Sequence, residues 1–397
     1  MSLTNTPASE RLNIGFFGKR NAGKSSLVNA LAGQSVSVVS DVKGTTTDPV
    51  TKTMELLPLG PVVLIDTPGF DDEGNLGLMR VKRTKEILRR VDIAVLVCDA
   101  EVGLNEADIE LIEIFKEKNI PYIVAYNKAD VAKVTVKGEN EIAVSAKDNI
   151  NIQLLKEKIS LIIPKKKEKS LTAGFIDKGE IAVLVTPIDE AAPKGRLILP
   201  QQQTIRDLLD RGCIAVVCEP DMLPKMLDEL KGKVRVVITD SQAFKKVSGM
   251  APEDIMLTSF SILMANYKGF LETAVSGVLA LENLKDGDKV LIAEGCTHHR
   301  QCNDIGSVKL PKWIGEYTGK KLEFTVLPGH EFPEDLSGFS LVIHCGGCMI
   351  TEREVQSRME SAVKQNIPFT NYGIAIAQVN GILKRSVEVF PELYKKM

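Results

Sequence analysis

A phosphate-binding loop near the start of the chain constrains its fold more than any other feature. The loop reads Gly18-Lys19-Arg20-Asn21-Ala22-Gly23-Lys24-Ser25 and fits the pattern G-x-x-x-x-G-K-[ST] at every fixed position. It directly follows the apolar segment Leu12–Phe17 and opens a helical pattern that runs to about Ala32. Because such a loop connects a strand to a helix, the sequence predicts an α/β nucleotide-binding domain.

Short apolar segments alternate with amphipathic ones through the rest of this domain. The predicted strands after the first are Val62–Ile65, Ile93–Val97, Tyr122–Ala125 and Ile142–Val144. Helical patterns lie between them, at Leu78–Arg90 and Glu106–Lys118. This alternation predicts βαβ units and a mainly parallel sheet, whose ligands bind at the carboxyl ends of the strands.

The residues of the loop have distinct predicted roles toward a nucleotide. Gly18 and Gly23 let the backbone curl so that its N–H groups point at phosphate, beside the positive end of the following helix. Lys24 reaches the β- and γ-phosphates as a catalytic residue, and the Ser25 hydroxyl binds Mg²⁺. The other predicted phosphate contacts are Lys19, Arg20, Asn21, Ala22 and Ser26.

Three further motifs lie where predicted strands end. Asp66-Thr67-Pro68-Gly69 ends one strand, so that Asp66 is expected near Mg²⁺ and the Gly69 N–H near a γ-phosphate. Asn127-Lys128-Ala129-Asp130 ends another. The Asp130 carboxylate can accept hydrogen bonds from two neighbouring donors of guanine, which adenine lacks, so GTP is the expected nucleotide. Ser145-Ala146-Lys147 is expected to cover the guanine O6 with a backbone N–H.

These motifs together resemble the Era and tRNA-modification (TrmE-like) branch of the translation-factor-related GTPases. Gly44-Thr45-Thr46-Thr47-Asp48 is similar to the G-T-T-R-D signature of that branch, with Thr47 replacing the arginine. The resemblance implies that Thr46 is a catalytic residue that binds Mg²⁺, and that Asn21 holds K⁺. Phe70 stands where Ras-like proteins carry a catalytic glutamine, so intrinsic turnover is expected to be slow. The acidic run Asp71-Asp72-Glu73 either positions water or is an exposed loop.

Composition and linkers bound the rest of the chain. The 397 residues are too many for one core, and the run Pro164 to Ser170, rich in lysine, predicts a linker after the first domain. The predicted domains are 1–165, a GTPase domain, then 166–266 and 267–397, both α/β. A net charge of −2 and a pI near 6.2 argue against nucleic-acid or membrane partners. Seven unevenly spaced cysteines, without a leader-like opening, predict a reducing, cytoplasmic location.

Soft metal ligands cluster in the last predicted domain. Cys296-Thr297-His298-His299 follows a predicted strand at Val290–Ala293, and His344-Cys345-Gly346-Gly347-Cys348 ends one at Leu341–His344. Three thiolates without a definite fourth ligand suit a 4Fe-4S cluster with one labile iron. A structural zinc site and a C-x-x-C redox pair remain the alternatives. Cys98, Cys213, Cys218 and Cys302 are expected to have no ligand role.

The spacing C-x-H and H-C-x-x-C after a TrmE-like G domain resembles the HydF family, the maturation GTPases of FeFe hydrogenases. The resemblance covers the whole chain and implies a middle dimerisation domain and a C-terminal cluster domain. It implies a 4Fe-4S cluster on Cys296, Cys345 and Cys348, whose fourth ligand is open. His298, His344, Asp189 and Glu190 are the candidates for that position.

The same resemblance implies a scaffold role. The protein would form a homodimer or larger oligomer, receive a diiron precursor made with two radical-SAM maturases, and deliver it to apo FeFe-hydrogenase. The alternative from another class is an RNA- or ribosome-directed GTPase with a zinc-stabilised C-terminal domain. The acidic pI favours the scaffold.

Overall fold

The computed structural model describes residues 6–33, 39–42, 50–68, 84, 86–163, 169–188, 197–295 and 304–397. The chain divides into two compact units, Met1–Lys167 and Glu168–Met397. Within the described residues, no helix has the length and apolarity that a membrane span requires. Each unit is described separately below.

The first unit is a seven-stranded sheet with helices packed against it. Its strands are β1 Leu12–Phe17, β2 Val39–Val42, β3 Val50–Leu56, β4 Gly60–Asp66, β5 Ile93–Asp99, β6 Tyr122–Asn127 and β7 Glu141–Ala143. Its described helices are α1 Lys24–Gly33, α2 Glu106–Glu117 and α3 Ile152–Leu161, with a short 3₁₀ turn at Ala8–Glu10. The predicted helix Leu78–Arg90 lies mostly outside the described residues.

Parallel strands bring the predicted motifs to one edge of this sheet, the edge formed by the carboxyl ends of those strands. The order is β2-β3-β4-β1-β5-β6-β7, with antiparallel pairing at β2/β3 and β3/β4 and parallel pairing elsewhere. Ile14 and Phe16 of β1 pack into the core on one face, and Phe17 packs into the core on the other. Burial of both faces explains why β5 is continuously apolar from Ile93 to Cys98 rather than alternating. The predicted mixed α/β class with a phosphate-loop domain is confirmed.

The second unit holds two four-stranded parallel sheets. The first has β8 Ile181–Val185, β9 Ile214–Cys218, β10 Val234–Thr239 and β11 Met256–Ser259 in the order β11-β10-β8-β9. The second has β12 Lys289–Ala293, β13 Glu323–Leu327, β14 Leu341–His344 and β15 Phe369–Asn371 in the order β13-β12-β14-β15. Both match the predicted α/β alternation.

Helices cover these sheets. They are α4 Leu199–Asp210, α5 Leu223–Glu229, α6 Phe244–Ser248, α7 Phe260–Tyr267, α8 Leu271–Val278, α9 Leu310–Thr318, α10 Glu352–Lys364, α11 Tyr372–Val379, α12 Leu383–Ser386 and α13 Pro391–Tyr394. The described part of the unit also has short 3₁₀ segments at Pro220–Met222, Ser241–Ala243 and Leu279–Asn283 and a π-helical turn at Ile305–Lys309.

One apolar core runs through both sheets of this unit. It includes Val183 and Val237 of the first sheet and Ile292 and Ile343 of the second, all fully buried. The predicted limits at residues 165 and 266 stay predictions. The shared core means that elements on either side of residue 266 contact each other directly, which bears on the surroundings of the cysteine loop, residues 345–350.

Candidate functional site

The first site is built on the phosphate loop between β1 and α1. Gly18 has φ +135° and Gly23 has φ +90°, both in the region that favours glycine. A Cβ on Gly18 would lie 2.2 Å from the Val97 carbonyl oxygen, and a Cβ on Gly23 would lie 2.1 Å from Asn127 Nδ2. Only glycine therefore fits at these two positions, as the pattern predicts.

Lys24 begins α1 and is almost completely buried. Its Nζ donates to the carbonyl oxygens of Gly18 at 2.9 Å and Lys19 at 2.7 Å. The ammonium therefore lies inside the curl of the loop, where a phosphate oxygen can replace a carbonyl as its acceptor.

Around the loop is a cavity of about 800 Å³, within the range of ligand pockets. It is lined by Arg20, Asn21, Gly23, Lys24, Ser25, Ser26, Val50, Asp66, Thr67, Pro68, Asn127, Lys128, Asp130, Val131, Ser145, Ala146 and Lys147. Most of the predicted nucleotide contacts are in this list. The predicted Thr46 and Gly69 lie outside the described residues, as does Phe70. Val50 and Val131 were missed, because an isolated valine carries no motif signal.

The carboxylate of Asp66 fits a divalent cation. Its Oδ2 accepts a short hydrogen bond from Ser25 Oγ, while its Oδ1 is buried with no hydrogen-bond partner among the described residues. Burial raises the pKa of Asp66, and the Ser25 hydrogen bond and the Lys24 charge offset this only in part. A buried carboxylate oxygen without a donor beside a serine hydroxyl is the kind of oxygen set that Mg²⁺ takes.

Asn127 and Asp130 organise the far end of the cavity. Asn127 Nδ2 donates to the Ala22 carbonyl at 2.9 Å, and its Oδ1 accepts from the Ala146 N–H at 3.0 Å. Asn127 thus ties the phosphate loop to the Ser145-Ala146-Lys147 loop. Asp130 Oδ1 accepts from Ser145 Oγ at 2.6 Å, which lowers the pKa of Asp130, and Lys128 Nζ pairs with Asp99 Oδ2 at 2.6 Å.

The second region of interest is the carboxyl edge of the sheet β13-β12-β14-β15. Cys345 follows β14, and its Sγ accepts backbone N–H bonds from Gly295 at 3.0 Å and Gly347 at 3.3 Å. The predicted Cys296 follows Gly295 in the chain and lies outside the described residues, as do His298, Cys302, Asp189 and Glu190. Among the described residues, no three His, Cys, Asp or Glu side chains converge on a possible metal position.

The two described cysteines have a protected environment. Burial raises the pKa of Cys345, and burial together with Cys345 raises the pKa of Cys348 to about 11. Both thiols are therefore protonated at neutral pH in the metal-free chain. Soft sulfur donors with N–H···S bonds are compatible with an iron–sulfur cluster, and the thiols must lose their protons when a metal binds.

His344, at the end of β14, has no free ring nitrogen. Its Nδ1 donates to the Cys345 carbonyl at 2.7 Å, and its Nε2 accepts from Arg358 Nη1 at 3.2 Å. Its side chain is fully buried, which together with the Arg358 charge lowers the pKa of His344 to about 3. His344 is therefore a neutral structural residue in this arrangement, and the geometry disfavours the predicted ligand role.

Arg358 continues this buried network toward the surface. It donates to the Gly329 carbonyl at 2.6 Å and to Glu354 Oε1 at 2.7 Å, and His330 Nδ1 lies 3.0 Å from the same carboxylate. Sequence patterns did not identify Arg358 or Glu354, which look like ordinary helix residues.

Of the cysteines expected to have no ligand role, Cys98 and Cys213 are buried, and Cys218 is half-buried. The first two thus pack in apolar cores.

Family models match three segments of the chain. Residues 13–128 match the model described as 50S ribosome-binding GTPase, which confirms the predicted GTPase domain. Residues 171–269 match the hydrogen maturase F dimerization domain. Residues 272–389 match the hydrogen maturase F tetramerization domain. The last two together cover more than half of the chain.

Individual relatives resemble only the first unit. GTPase Der of Wolinella succinogenes is 36% identical over 169 residues, 38% of this chain and 36% of Der. The tRNA modification GTPase MnmE of Lactococcus lactis subsp. cremoris is 35% identical over 159 residues, 38% of this chain and 34% of MnmE. This chain thus spans about a third of the length of these relatives.

Among solved structures, that of Aquifex aeolicus Era bound to GDP and AlF₄⁻ is 20% identical, with a TM-score of 0.33 over 56% of this chain and 98% of that one. At so low a score, the fold assignment rests on the strand order and the domain models. With a GTPase domain followed by both hydrogen maturase F oligomerisation domains, the chain belongs to the hydrogen maturase F (HydF) family.

Proposed function

We propose that this protein is a GTP-hydrolysing scaffold that binds a 4Fe-4S cluster and assembles and delivers the diiron subcluster of FeFe-hydrogenase. One observation carries the proposal: a complete phosphate loop and a C-x-x-C loop at a sheet edge occur in one chain with the hydrogen maturase F domains. Its partners would be apo FeFe-hydrogenase and two radical-SAM maturases, in the cytoplasm. Neither nucleic acid nor a membrane is proposed as a partner.

GTP and Mg²⁺ would occupy the cavity around the phosphate loop. Lys24 would contact the β- and γ-phosphates. Ser25 and Thr46 would bind Mg²⁺, with the Asp66 carboxylate near it. The Asp130 carboxylate, ionised at neutral pH, would accept from the guanine edge. The Ala146 N–H is already bonded to Asn127, so guanine O6 would have to share it or take a neighbouring N–H.

K⁺ would supply the charge that assists hydrolysis. Asn21 lines the cavity, has an exposed side chain and adopts φ +64°, so its amide oxygen is available to a cation beside the phosphates. Stabilisation of charge on the transferred phosphoryl group is the main catalytic need of a GTPase, and a bound cation can serve where no arginine does.

Cys296, Cys345 and Cys348 would hold the cluster. A cubane with three thiolate ligands keeps one iron open to exchange, which suits a site that receives and releases another metal unit. His298, Asp189 and Glu190 remain candidates for the fourth position. His344 is the weakest of them, because both of its ring nitrogens are bonded.

The decisive experiment measures metal in anaerobically reconstituted protein. We expect about four iron and four sulfide per chain, a broad iron–sulfur absorption band, and activation of apo-hydrogenase when the maturases are supplied. Cys345→Ser is expected to lose most of the iron and all of the activation. Cys213→Ser, which alters a buried thiol of the same unit, is the matched control and is expected to retain both.

Two results would contradict the proposal. A Cys345→Ser protein that holds full iron and still activates hydrogenase would show that Cys345 is not a ligand of the cluster. Wild-type protein that holds stoichiometric zinc and refuses iron would favour the RNA- or ribosome-directed alternative instead.

A further inference from the structure

A buried lysine holds the cysteine loop from outside the sheet that carries it. Lys268 directly follows α7 and is only 2% exposed. Its Nζ donates a short hydrogen bond to the Gly347 carbonyl and a bond of 2.5 Å to the Ile350 carbonyl. These two carbonyls flank Cys348 in the sequence, so one ammonium group spans the backbone on both sides of that cysteine.

Lys268 has no ion-pair partner among the described residues. In the described part of the chain, no carboxylate lies within ion-pair distance of Lys268 Nζ, and its hydrogen bonds go to neutral carbonyls. Burying an ammonium without a counter-charge is costly. A negative group bound beside it would offset that cost.

Glu352 and Glu354 act electrostatically on Lys268 from a distance, but their ion pairs are with Lys169 and Arg358. Other neighbours hold the lysine in place. Gln356 Nε2 on α10 donates to the Lys268 carbonyl at 3.1 Å, and Ser261 on α7 lies close to Gly346 of the cysteine loop. Helix α7 thus runs along the loop and presents the ammonium at its end. The lysine comes from the segment that matches the dimerization domain, whereas the loop comes from the segment that matches the tetramerization domain.

We infer that Lys268 is the counter-charge and the positioning residue of the cluster held by Cys345 and Cys348, and this inference rests on the proposed function. Thiolate-ligated clusters are anionic, and they become more so when reduced. A fixed positive charge beside the cluster stabilises the reduced form and raises its reduction potential. The two carbonyl bonds hold the loop in the shape that presents Cys348.

Two neutral variants separate the charge from the hydrogen bonds. Lys268→Met removes both, while Lys268→Gln removes the charge and keeps an N–H donor on a shorter side chain. Lys312→Met, which changes a mostly exposed lysine on α9, is the matched control. All are reconstituted with iron and sulfide as full-length protein, and helix content is checked by circular dichroism.

We expect both Lys268 variants to shift the midpoint potential of the cluster to more negative values in a mediated redox titration. We also expect Lys268→Met to lose iron to a chelator several-fold faster than wild type, and Lys268→Gln to lie between the two. Lys312→Met should match wild type in both measurements, and GTP hydrolysis should be unchanged in all three variants.

The outcomes distinguish this inference from the proposed function. Wild-type protein that takes up no iron refutes the proposed function and this inference with it. If the wild type takes up iron and both Lys268 variants match it in midpoint potential and in iron loss, this inference is wrong and the proposed function stands. If Lys268→Met proves insoluble, the midpoint potential of the cluster in Lys268→Gln tests the inference.

Discussion

At the residue scale, Asp130 lies in the nucleotide cavity with its carboxylate bonded to Ser145 Oγ. Because the pKa of Asp130 is lowered, the group is a charged acceptor throughout the physiological range. Asp130→Asn is expected to weaken GTP binding by about tenfold or more, since a hydrogen bond to a charged group is lost. It should improve binding of xanthosine triphosphate, whose 2-oxo group accepts from the new amide. Calorimetric titration with both nucleotides measures this.

The control for that prediction is Asp148→Asn, an exposed aspartate three residues beyond Ser145 that does not line the cavity. It should bind GTP like wild type. Unchanged GTP affinity in Asp130→Asn would mean that guanine is recognised elsewhere.

Asn21 offers a second test on a single side chain. We expect faster GTP hydrolysis in K⁺ than in Na⁺ at equal ionic strength, and loss of this difference in Asn21→Gly. Glycine is the suitable replacement because Asn21 has φ +64°, where alanine would add backbone strain. Steady-state phosphate release measures the rates. Equal rates of the wild type in the two salts would eliminate the K⁺ site but not the GTPase.

At the element scale, helix α10 contains a buried ion pair one turn apart. The side chains of Glu354 and Arg358 are 4% and 1% exposed, and their atoms lie 2.7 Å apart. Burial alone would raise the pKa of Glu354, but the hydrogen bond from His330 and the Arg358 charge outweigh it and lower the pKa to about 2. The pair also orients His344 through Arg358.

A folded-state pKa below the ordinary value of 4.5 means that the unfolded chain binds the proton more tightly. The stability from Glu354 is therefore present above pH 4.5 and is lost as the pH falls from there toward 2. Glu354→Gln should flatten this part of the stability profile and cost about 3–5 kcal/mol at neutral pH, because Arg358 is left buried without its partner.

Urea unfolding at several pH values tests this, followed by the fluorescence of Trp313, the single tryptophan of the chain. Glu360→Gln, an exposed position on the same helix, should behave like wild type. Equal stability of wild type and Glu354→Gln at neutral pH would show that the ion pair contributes nothing.

At the scale of the whole molecule, strand β9 lies at an edge of its sheet within the described residues. It pairs only with β8 in the described sheet, and Ile214 and Val217 are 48% and 44% exposed. The Ile214 N–H bonds inward to the Glu180 carbonyl, so the alternation of a strand directs the Val217 N–H outward. Because this edge lies within the segment that matches a dimerization domain, we expect β9 to pair with β9 of a second copy.

Val217→Pro should therefore abolish the dimer while leaving the β8 ladder intact, because proline is tolerated on an edge strand and removes only the outward donor. Val217→Thr keeps both the N–H and the branched shape, and should remain dimeric. Light scattering after size exclusion gives the masses. A Val217→Pro protein with the wild-type mass would place the dimer contact on another surface.

Sequence reasoning recovered the regular elements best where they carry a clear period or motif. β1 and β14 have the predicted bounds, since each is a short, mostly apolar run between polar loops. Helices α7 and α11 were not identified. Six of the eight residues of α11 are buried, so the helix has no polar face and no amphipathic period to detect.

The phosphate loop could be predicted from sequence alone because its requirements are local. Gly18, Gly23, Lys24 and Ser25 lie within eight residues, and their backbone angles and chemistry follow from residue type. The neutral state of His344 and the position of Lys268 depended on tertiary structure. Lys268 meets Gly347 and Ile350 across 79 and 82 residues of sequence, and His344 meets Arg358 only because α10 packs beside β14. Contacts so distant in sequence depend on how helices pack on sheets, and a local sequence pattern does not predict that packing.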